Sequence, residues 1–382
     1  MTREGAGPRA APRILVLSAP YGAGHARAAD AVARAFAAEG AQVEVLDHFV
    51  SFLPPAFVRT SLAMFWGILR VAPSLWGLAY EFSARIGPRS PAMAGMDRIG
   101  SEGLLRHLEQ TRPDAVVHVH PTPAGAMASL RARGATRLPH GIVFTDFSAH
   151  PQWIHAGLER YFVPTEAVRA GVVAQGVAAD RVVTSGLPVD PTFMTPPNRP
   201  ALRVALGLPA DVPVVLVTGG MRGLLRGVAE ACEALAALDR PFVALAVCGD
   251  HHRLAAQLRE RHGRDARFRI LGHVTDMARV IGVADLVVSK AGAMTCAEAL
   301  ALGRPLLLHR SLPGQEQANE AGLVAAGAAL RARGARELRR RLDALLAEPE
   351  LRAALAATAR TLRRPEAGRT VAKEMLALLE RR

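Results

Sequence analysis

The sequence predicts an α/β protein built from two parallel-sheet domains in tandem. Short runs rich in Val, Ile and Leu alternate with alanine-rich helical patterns almost from end to end, which is the rhythm of parallel α/β folds. A proline-rich stretch at residues 186–200 interrupts this rhythm near mid-chain, and the rhythm then restarts. The length of 382 residues, half of them hydrophobic, also indicates two domains, because it exceeds what one core usually serves.

The strands are predicted from the apolar runs, whose near-continuous character indicates sheets with helices on both faces. Six runs lie in the first half, at residues 13–19, 42–47, 114–120, 140–146, 160–165 and 181–186. Five lie in the second half, at residues 212–220, 241–249, 267–272, 285–292 and 304–310. Ligands of such sheets bind at the carboxyl ends of the strands, so the cleft between the domains is the expected site.

The same pattern sets the expected domain limits. They are a disordered tail over residues 1–12, a first domain over 13–186, a linker over 187–200, a second domain over 201–364 and a C-terminal helix over 365–382. This last helix could pack back on the first domain.

The formal net charge of +13 comes almost entirely from arginine, since only Lys290 and Lys373 are lysines. Either a genomic arginine bias or attraction to anionic membrane or phosphate accounts for it. No RNA-binding signature with interleaved aromatic residues is present, so nucleic acid is not an expected partner. The three scattered cysteines Cys232, Cys248 and Cys296 suit neither a disulfide framework nor a thiolate metal site, and they favour the cytosol.

No membrane span is expected. The apolar run after the N-terminal tail is too short for a signal-peptide core. The most membrane-like segment, residues 57–87, is interrupted by Arg59, Arg70 and Pro73 before it reaches the ~20 residues that a span needs.

The stretch SAPYGAGHARAAD, residues 18–30, follows the first strand and opens a helix. Its free backbone N–H groups and the helix dipole predict a site for an anion or polar ligand. Gly22 and Gly24 do not complete a dinucleotide-binding fingerprint, because Arg27 stands where the third glycine belongs. His25 lies at the helix N-terminus, where the dipole disfavours protonation, so it is the predicted general base. A tight turn with a capping histidine is the alternative.

In the second half of the chain, two predicted helices begin directly after glycines at the same edge of the sheet. Gly219 and Gly220 stand between a strand and a helix with Arg222 in the same turn, and Gly292 stands ahead of a helix expected to start near Thr295. A diphosphate is the natural occupant of such an edge.

Further polar residues follow the strands at this edge. Glu298 could accept hydrogen bonds from ribose hydroxyls, although a capping box formed with Thr295 would explain it without a ligand. The cluster of Gln315, Glu316 and Asn319 offers the mixture of donors and acceptors that suits a hydroxyl-rich ligand.

The stretch TDFSAHPQWIH leaves a strand of the first domain with Asp146, His150, Trp153 and His155. The two histidines are spaced like a metal pair, but Pro151 makes a helix there improbable and zinc is not expected. Acceptor binding is the preferred interpretation, with Trp153 as a stacking surface.

Several motifs in order carry a family resemblance between residues 14 and 327. They are SAPYGAGH, TDFSAHPQWIH, GLPVDPTF, TGGMRG, GHVTDM, SKAGAMTCAEALALGRP and PGQEQAN. The chain resembles the GT-B glycosyltransferases of the monogalactosyldiacylglycerol synthase and processive diacylglycerol glucosyltransferase type. These are themselves similar to the peptidoglycan lipid-intermediate N-acetylglucosaminyltransferase. The resemblance implies a GT-B fold, with two Rossmann-like domains facing a central cleft.

The resemblance also implies an activity. It is inverting, metal-independent transfer of a hexose from UDP-glucose or UDP-galactose to a lipid such as diacylglycerol, without a cofactor, by a peripheral protein at an anionic surface on the cytoplasmic face of the cell membrane. His25 would be the base on the acceptor hydroxyl, the Val274 backbone would contact uracil, and Glu298 would hold the ribose. The implied donor-binding set is Gly219, Gly220, Arg222, Val274, Gly292, Thr295, Glu298, Gln315, Glu316 and Asn319. The acceptor-binding set is Gly22, Gly24, Asp146, His150, Trp153 and His155.

The segment 57–87 looks like the membrane-contacting region of that family. Phe65, Trp66, Arg70 and Trp76 suit an interfacial helix, and the alternative is a buried helical hairpin. Other functions also stay open from the sequence: transfer to a different acceptor, a UDP-N-acetylglucosamine epimerase, or a non-catalytic UDP-sugar sensor.

Overall fold

Two six-stranded parallel sheets organise the protein, which we describe from a computed structural model. It describes residues 10–87, 90, 95–195, 197–219 and 226–381, so Gly220 and Arg222 lie outside the described residues. The sheet orders are β2-β1-β3-β4-β5-β6 and β12-β11-β10-β7-β8-β9. The predicted α/β class with two parallel sheets is confirmed. The strands are β1 (Arg13–Ser18), β2 (Gln42–Asp47), β3 (Ala115–His118), β4 (His140–Val143), β5 (Arg160–Val163), β6 (Val182–Thr184), β7 (Val214–Thr218), β8 (Val243–Val247), β9 (Phe268–Leu271), β10 (Leu286–Ser289), β11 (Leu306–His309) and β12 (Ala329–Ala332).

All eleven predicted strands are present, with some ends one to three residues shorter than the apolar runs. The twelfth, β12, was not predicted. It is an edge strand that pairs with β11, and Leu330 and Arg331 at its centre are only half-buried. An edge strand has one neighbour and does not need the continuous apolar run of a central strand.

The helices connect the strands and cover both faces of each sheet. In chain order they are α1 (Ala23–Ala38), α2 (His48–Phe52), α3 (Pro55–Val71), α4 (Pro73–Ala84), α5 (Ser101–Thr111), α6 (Pro121–Ala132), α7 (Glu166–Ala174), α8 (Arg199–Ala205), α9 (Arg226–Ala236), α10 (His252–His262), α11 (Met277–Val283), α12 (Ala293–Ala301), α13 (Gln315–Ala325), α14 (Ala335–Ala347), α15 (Pro349–Thr361) and α16 (Ala367–Glu380).

Each sheet reverses its strand order at one point. In the first sheet the reversal lies between β1 and β3, and in the second it lies between β7 and β10. The loops after the strands at such a point diverge and leave a crevice for ligands. The loop that carries His25 follows β1, and the loops that carry Gly219 and Gly292 follow β7 and β10. The strand order therefore places the predicted ligand loops at the two crevices.

The chain passes between the two sheets twice. The first passage follows β6, and the second lies between α15 and α16. Helix α16 then packs on α1, β4 and β5 of the first sheet. Two ion pairs hold it there, from Arg369 Nε to Glu39 Oε1 at 2.9 Å and from Arg160 Nε to Glu374 Oε2 at 3.0 Å.

Helices α3 and α4 form a bent pair with 113° between them. Among the described residues no single helix is long and apolar enough to cross a membrane, and only this bent pair reaches the required length and composition when taken together. Pro73 at the first position of α4 gives the bend a local cause, because proline cannot continue α3 and suits the start of a new helix.

Candidate active site in the cleft

A cavity of about 160 Å³ lies in the cleft between the sheets. The first half of the chain lines it with the β1 loop and with Thr145, which follows β4. The second half lines it with the loops after β10 and β11. The predicted site residues that share this cavity are Gly22, Gly24, His25, Gly292, Thr295, Gln315, Glu316 and Asn319. The structure thus brings the predicted base and part of the predicted donor set together.

His25 lies in the first turn of α1, behind Gly22. Gly22 has a φ of 110°, which residues with a side chain rarely adopt, so glycine suits the turn that starts the helix. His25 Nδ1 lies 3.0 Å from the Val119 carbonyl oxygen and 3.0 Å from Thr145 Oγ1. A carbonyl can only accept, so Nδ1 carries the proton and Nε2 is left as the acceptor nitrogen.

Burial lowers the pKa of His25 to about 4, although the hydrogen bond to Val119 opposes the shift. The imidazole is therefore neutral at pH 7, in the form that can take a proton. The prediction from the sequence was that the helix dipole keeps His25 neutral, whereas the larger cause of the lowered pKa is desolvation by burial.

His25 belongs to a group of buried histidines in the first domain. The ring of His120 packs edge-on against it at 4.8 Å, and His118 Nε2 lies 3.1 Å from His140 Nδ1. We call His25, His48, His118, His120 and His140 the histidine cluster. Burial lowers the pKa of His48 to about 4 and of His140 to about 3, and it lowers those of His118 and His120 well below the usual value. Among the described residues no group of three or more His, Cys, Asp or Glu has the geometry to hold a metal ion.

The sequence reasoning missed the other four members of this cluster. His118 and His120 alternate with valines at the end of an apolar run, and this pattern is the signal that could have found them.

Glu298 reaches across the cleft to the first domain. Helix α12 starts at Ala293 behind Gly292, and no side chain caps it, so the capping box of Thr295 and Glu298 is wrong. The Glu298 carboxylate instead accepts from Arg27 Nη1 at 2.6 Å. Burial raises the pKa of Glu298 to about 7, and the charge of Arg27 opposes this shift.

Lys290 is a cavity residue that the sequence reasoning did not assign. It follows β10 and forms an ion pair with Glu316 Oε1, while Glu316 Oε2 accepts from the Leu312 N–H at 2.9 Å. Both side chains are mostly buried. One signal was available, because Lys290 is one of only two lysines in an arginine-rich chain.

Asp146 connects the two halves of the chain instead of standing free for a ligand. It accepts from Gln315 Nε2 at 2.5 Å and from Asn319 Nδ2 at 3.3 Å. Asn319 Oδ1 in turn accepts from the Phe147 N–H at 2.7 Å. Burial raises the pKa of Asp146 to about 6, and hydrogen bonds from Gln315, Asn319 and Trp153 oppose the shift. Asp146, which was predicted to bind the acceptor, is therefore hydrogen-bonded across the cleft to Gln315 and Asn319, which were predicted to bind the donor.

Besides Asp146, three predicted acceptor residues do not line the cleft cavity. His150 lies against the ring of Tyr80 at 4.2 Å, and Trp153 is 3% exposed and stacks on Phe144 in the core of the first domain. His155 is buried 3.2 Å from Asp97 on another side of the domain. The proposed stacking surface on Trp153 is thus corrected, because core packing covers the ring.

A second cavity, of about 960 Å³, adjoins the first on the side of β7, β8 and β9. Val274 and Glu298 line it, together with Thr218, Gly249 and His273. Gly219 is buried directly after β7. Arg27, Thr295 and Trp66 line both cavities, so the two are neighbouring parts of one cleft.

The residues predicted to contact a membrane lie on the inner side of the α3–α4 pair. Phe65 packs edge-on with Trp66 and Trp76 at 5.1 Å each, and all three line the cleft cavity. Arg70 is exposed and lines the second cavity. Other apolar side chains of the pair point to solvent and are 46–86% exposed: Phe57, Met64, Val71, Leu75, Leu78 and Phe82.

Comparison with protein families gives two adjacent matches. Residues 25–189 match the monogalactosyldiacylglycerol synthase family, and residues 214–367 match the C-terminal domain of glycosyltransferase family 28. The first match contains His25 and Asp146, and the second contains Glu298 and the α13 residues.

Similar proteins of known name extend over nearly the whole chain. The processive diacylglycerol beta-glucosyltransferase of Bacillus mycoides is 27% identical over 368 residues, which cover 96% of this chain and 94% of that protein. The protein of the same name from Bacillus cytotoxicus is 26% identical over 88% of this chain and 86% of its own length.

Solved structures share the fold at lower identity. MurG of Acinetobacter baumannii has a TM-score of 0.64 with 19% identity, covering 96% of this chain and 99% of its own. MnaA of S. aureus, in a co-structure with UDP, has a TM-score of 0.64 with 13% identity and covers 97% of each chain.

Proposed function

We propose, since the chain is a GT-B glycosyltransferase of the monogalactosyldiacylglycerol synthase and processive diacylglycerol glucosyltransferase type, that it transfers a hexose from a UDP-sugar to a lipid acceptor. The donor is UDP-glucose or UDP-galactose and the acceptor is diacylglycerol or a similar lipid. The observation that carries the proposal is the neutral His25 in one cavity with Gly292, Glu316 and Asn319, next to the larger cavity of Val274 and Glu298.

In this proposal the reaction is a single displacement. His25 Nε2 takes the proton of the acceptor hydroxyl while the oxygen attacks the anomeric carbon. The bond from that carbon to the diphosphate oxygen breaks, and UDP leaves with the negative charge. The N-terminus of α12 and the Lys290 ammonium are the described groups placed to stabilise this charge. Attack opposite the leaving group inverts the anomeric carbon and needs neither a covalent intermediate nor a metal ion.

In this proposal the donor nucleoside binds in the larger, second cavity, which we call the nucleoside cavity. Val274 contacts the uracil, and Glu298 accepts from the ribose hydroxyls at the boundary with the cleft cavity. Gln315, Glu316 and Asn319 of α13 address the sugar. MnaA of S. aureus, which shares the fold, has a co-structure with UDP, and this supports UDP as the nucleotide of the donor.

The direct test is transfer by the purified protein. With UDP-glucose or UDP-galactose and diacylglycerol vesicles, we expect a hexosyl lipid whose linkage is β, because both donors carry an α linkage. Mass spectrometry and proton coupling constants identify the product. Activity should survive EDTA throughout the assay, and loss of activity with the chelator would contradict the metal-free mechanism. Conversion of the sugar on UDP without use of the lipid would point instead to an epimerase.

We further propose that the outer face of α4 contacts an anionic membrane. Leu75, Leu78 and Phe82 are 60–65% exposed there. The chain charge of +13 adds attraction to an anionic surface.

Changing Leu75, Leu78 and Phe82 together to serine should therefore lower activity on anionic vesicles about tenfold or more, because the lost apolar contacts weaken membrane binding. Activity on detergent-dispersed acceptor should stay near the wild-type value. Val204→Ser is the matched control, since Val204 is 80% exposed on α8. An equal loss in both formats would show that α4 does not serve as a membrane contact.

A further inference from the structure

Arg27 and Glu298 form an ion pair that bridges the two halves of the chain. Arg27 lies in the second turn of α1, and Glu298 lies in α12 of the other half. Both residues line the nucleoside cavity, and Arg27 also lines the cleft cavity beside His25. The pair therefore stands at the boundary between the two cavities.

The carboxylate of Glu298 depends on this partner. Its side chain is only 4% exposed, and a buried carboxylate is costly unless a cation or hydrogen-bond donors compensate it. Arg27 Nη1, at 2.6 Å from Oε1, supplies that compensation in this structure. Ribose hydroxyls would supply it by donating to the same oxygens.

Arg27 is also able to leave. Its side chain is 38% exposed, so the guanidinium reaches water without unfolding of the surrounding structure. Its Nε is buried without a hydrogen-bond acceptor among the described residues, so one hydrogen-bond donor of the guanidinium is unused in this position. The neighbouring α1 residues Asp30 and Arg34 also line the nucleoside cavity, and Arg34 pairs with Asp190.

We propose that Arg27 occupies the ribose subsite at Glu298 while the donor is absent, and that the nucleoside must displace it in order to bind. This inference rests on the proposed UDP-sugar function. In this proposal, donor binding breaks a contact between the two halves of the chain. The proposal also gives a role to Arg27, which stands where a dinucleotide-binding fingerprint would have its third glycine.

Calorimetric titration with uridine and with UDP at pH 8.5 tests the proposal, because Glu298 is ionised in the wild type at that pH. Arg27→Ala should bind uridine about five- to thirtyfold more tightly, since the competing cation is gone. Glu298→Ala should bind it about ten- to hundredfold more weakly. In the double variant the Glu298 carboxylate is absent, so Arg27 and the ribose no longer compete for it. Adding Arg27→Ala to Glu298→Ala should therefore leave the uridine affinity unchanged.

Arg369→Ala is the matched control. Like Arg27, Arg369 pairs with a carboxylate of another element, Glu39 at the end of α1, but it lines neither cavity. Its removal should leave uridine affinity unchanged. Arg27→Gln, with melting temperatures for all variants, provides a second test if the alanine variant folds poorly.

The outcomes separate the two proposals. Weaker or unchanged uridine binding by folded Arg27→Ala, with Glu298→Ala still impaired, would overturn the displacement of Arg27 and leave the donor site intact. A wild type that binds neither uridine nor UDP, or a Glu298→Ala variant that binds them normally, would overturn the donor site and the displacement together.

Discussion

Replacement of His25 by alanine is expected to slow sugar transfer about 10²- to 10⁴-fold, the usual cost of a lost general base. UDP affinity should stay close to the wild-type value, because the proposed nucleoside cavity is not lined by His25. Initial rates with UDP-glucose and lipid acceptor, and calorimetric titration with UDP, measure the two quantities. The rate should be low at every pH at which the protein is folded, since no other group takes over the proton.

His150→Ala is the appropriate control for this prediction. His150 lies outside the cleft cavity against Tyr80, so its removal should leave turnover within a few fold of wild type. Near-normal turnover of a folded His25→Ala variant would contradict the assignment of the base. The β1 loop would then serve only for binding.

Acid should destabilise the protein, by about 2 kcal/mol per pH unit near pH 6.5 and by about 4 kcal/mol per pH unit near pH 5. The five histidines of the cluster have folded-state pKa values well below 6.5, so the unfolded chain binds up to five more protons there. Asp146 and Glu298 have raised pKa values of about 6 and 7, so the folded state gains about two protons in return. The net difference rises from about one and a half protons at pH 6.5, where the histidines of the unfolded chain are half protonated, to about three protons near pH 5. Each proton is worth ~1.4 kcal/mol per pH unit, and stability decreases as the pH decreases because the unfolded state binds more protons.

Urea unfolding at pH 7.5, 6.5 and 5.5 measures this slope. A first domain at the low end of ordinary stability, about 5 kcal/mol, would unfold near pH 5. His48→Gln should reduce the slope by about 1.4 kcal/mol per pH unit, because one titrating group is removed. His252→Ala should not change it, since His252 is exposed. A free energy of unfolding that stays constant from pH 7.5 to 5.5 would contradict the buried, neutral state of the cluster.

The sheets were predictable because central parallel strands are buried on both faces. Such burial leaves continuous apolar runs, and all strands of this kind were found. The β1 loop was predictable for the same reason, since the strand that precedes it fixes its position at the carboxyl edge. β12 escaped because a half-buried edge strand needs no such run.

The contacts across the cleft could not be predicted from local pattern. Arg27 and Glu298 are 271 residues apart, and Asp146 and Gln315 are 169 residues apart. Glu298, Asp146 and Gln315 looked like ligand groups because their local sequences are polar and follow strands. The actual partner of each comes from the other sheet. Trp153 was misassigned because the loop that carries it folds back onto Phe144, a packing that the loop sequence does not reveal.

The return of α16 to the first sheet has a mechanical consequence. The two passages of the chain between the halves run side by side: the Arg363 guanidinium donates to the Met194 carbonyl, and Gly186, with a φ of 85°, leaves no room for a β-carbon beside Arg364. Two adjacent tethers act as a hinge and permit rotation about one axis while they resist twist and separation. If donor binding breaks the contact of Arg27 with Glu298 as proposed, the mouth of the cleft should widen and the hinge side should stay closed. In the proposed reaction the acceptor and the nucleotide would then share one opening, whose width is set by a single angle.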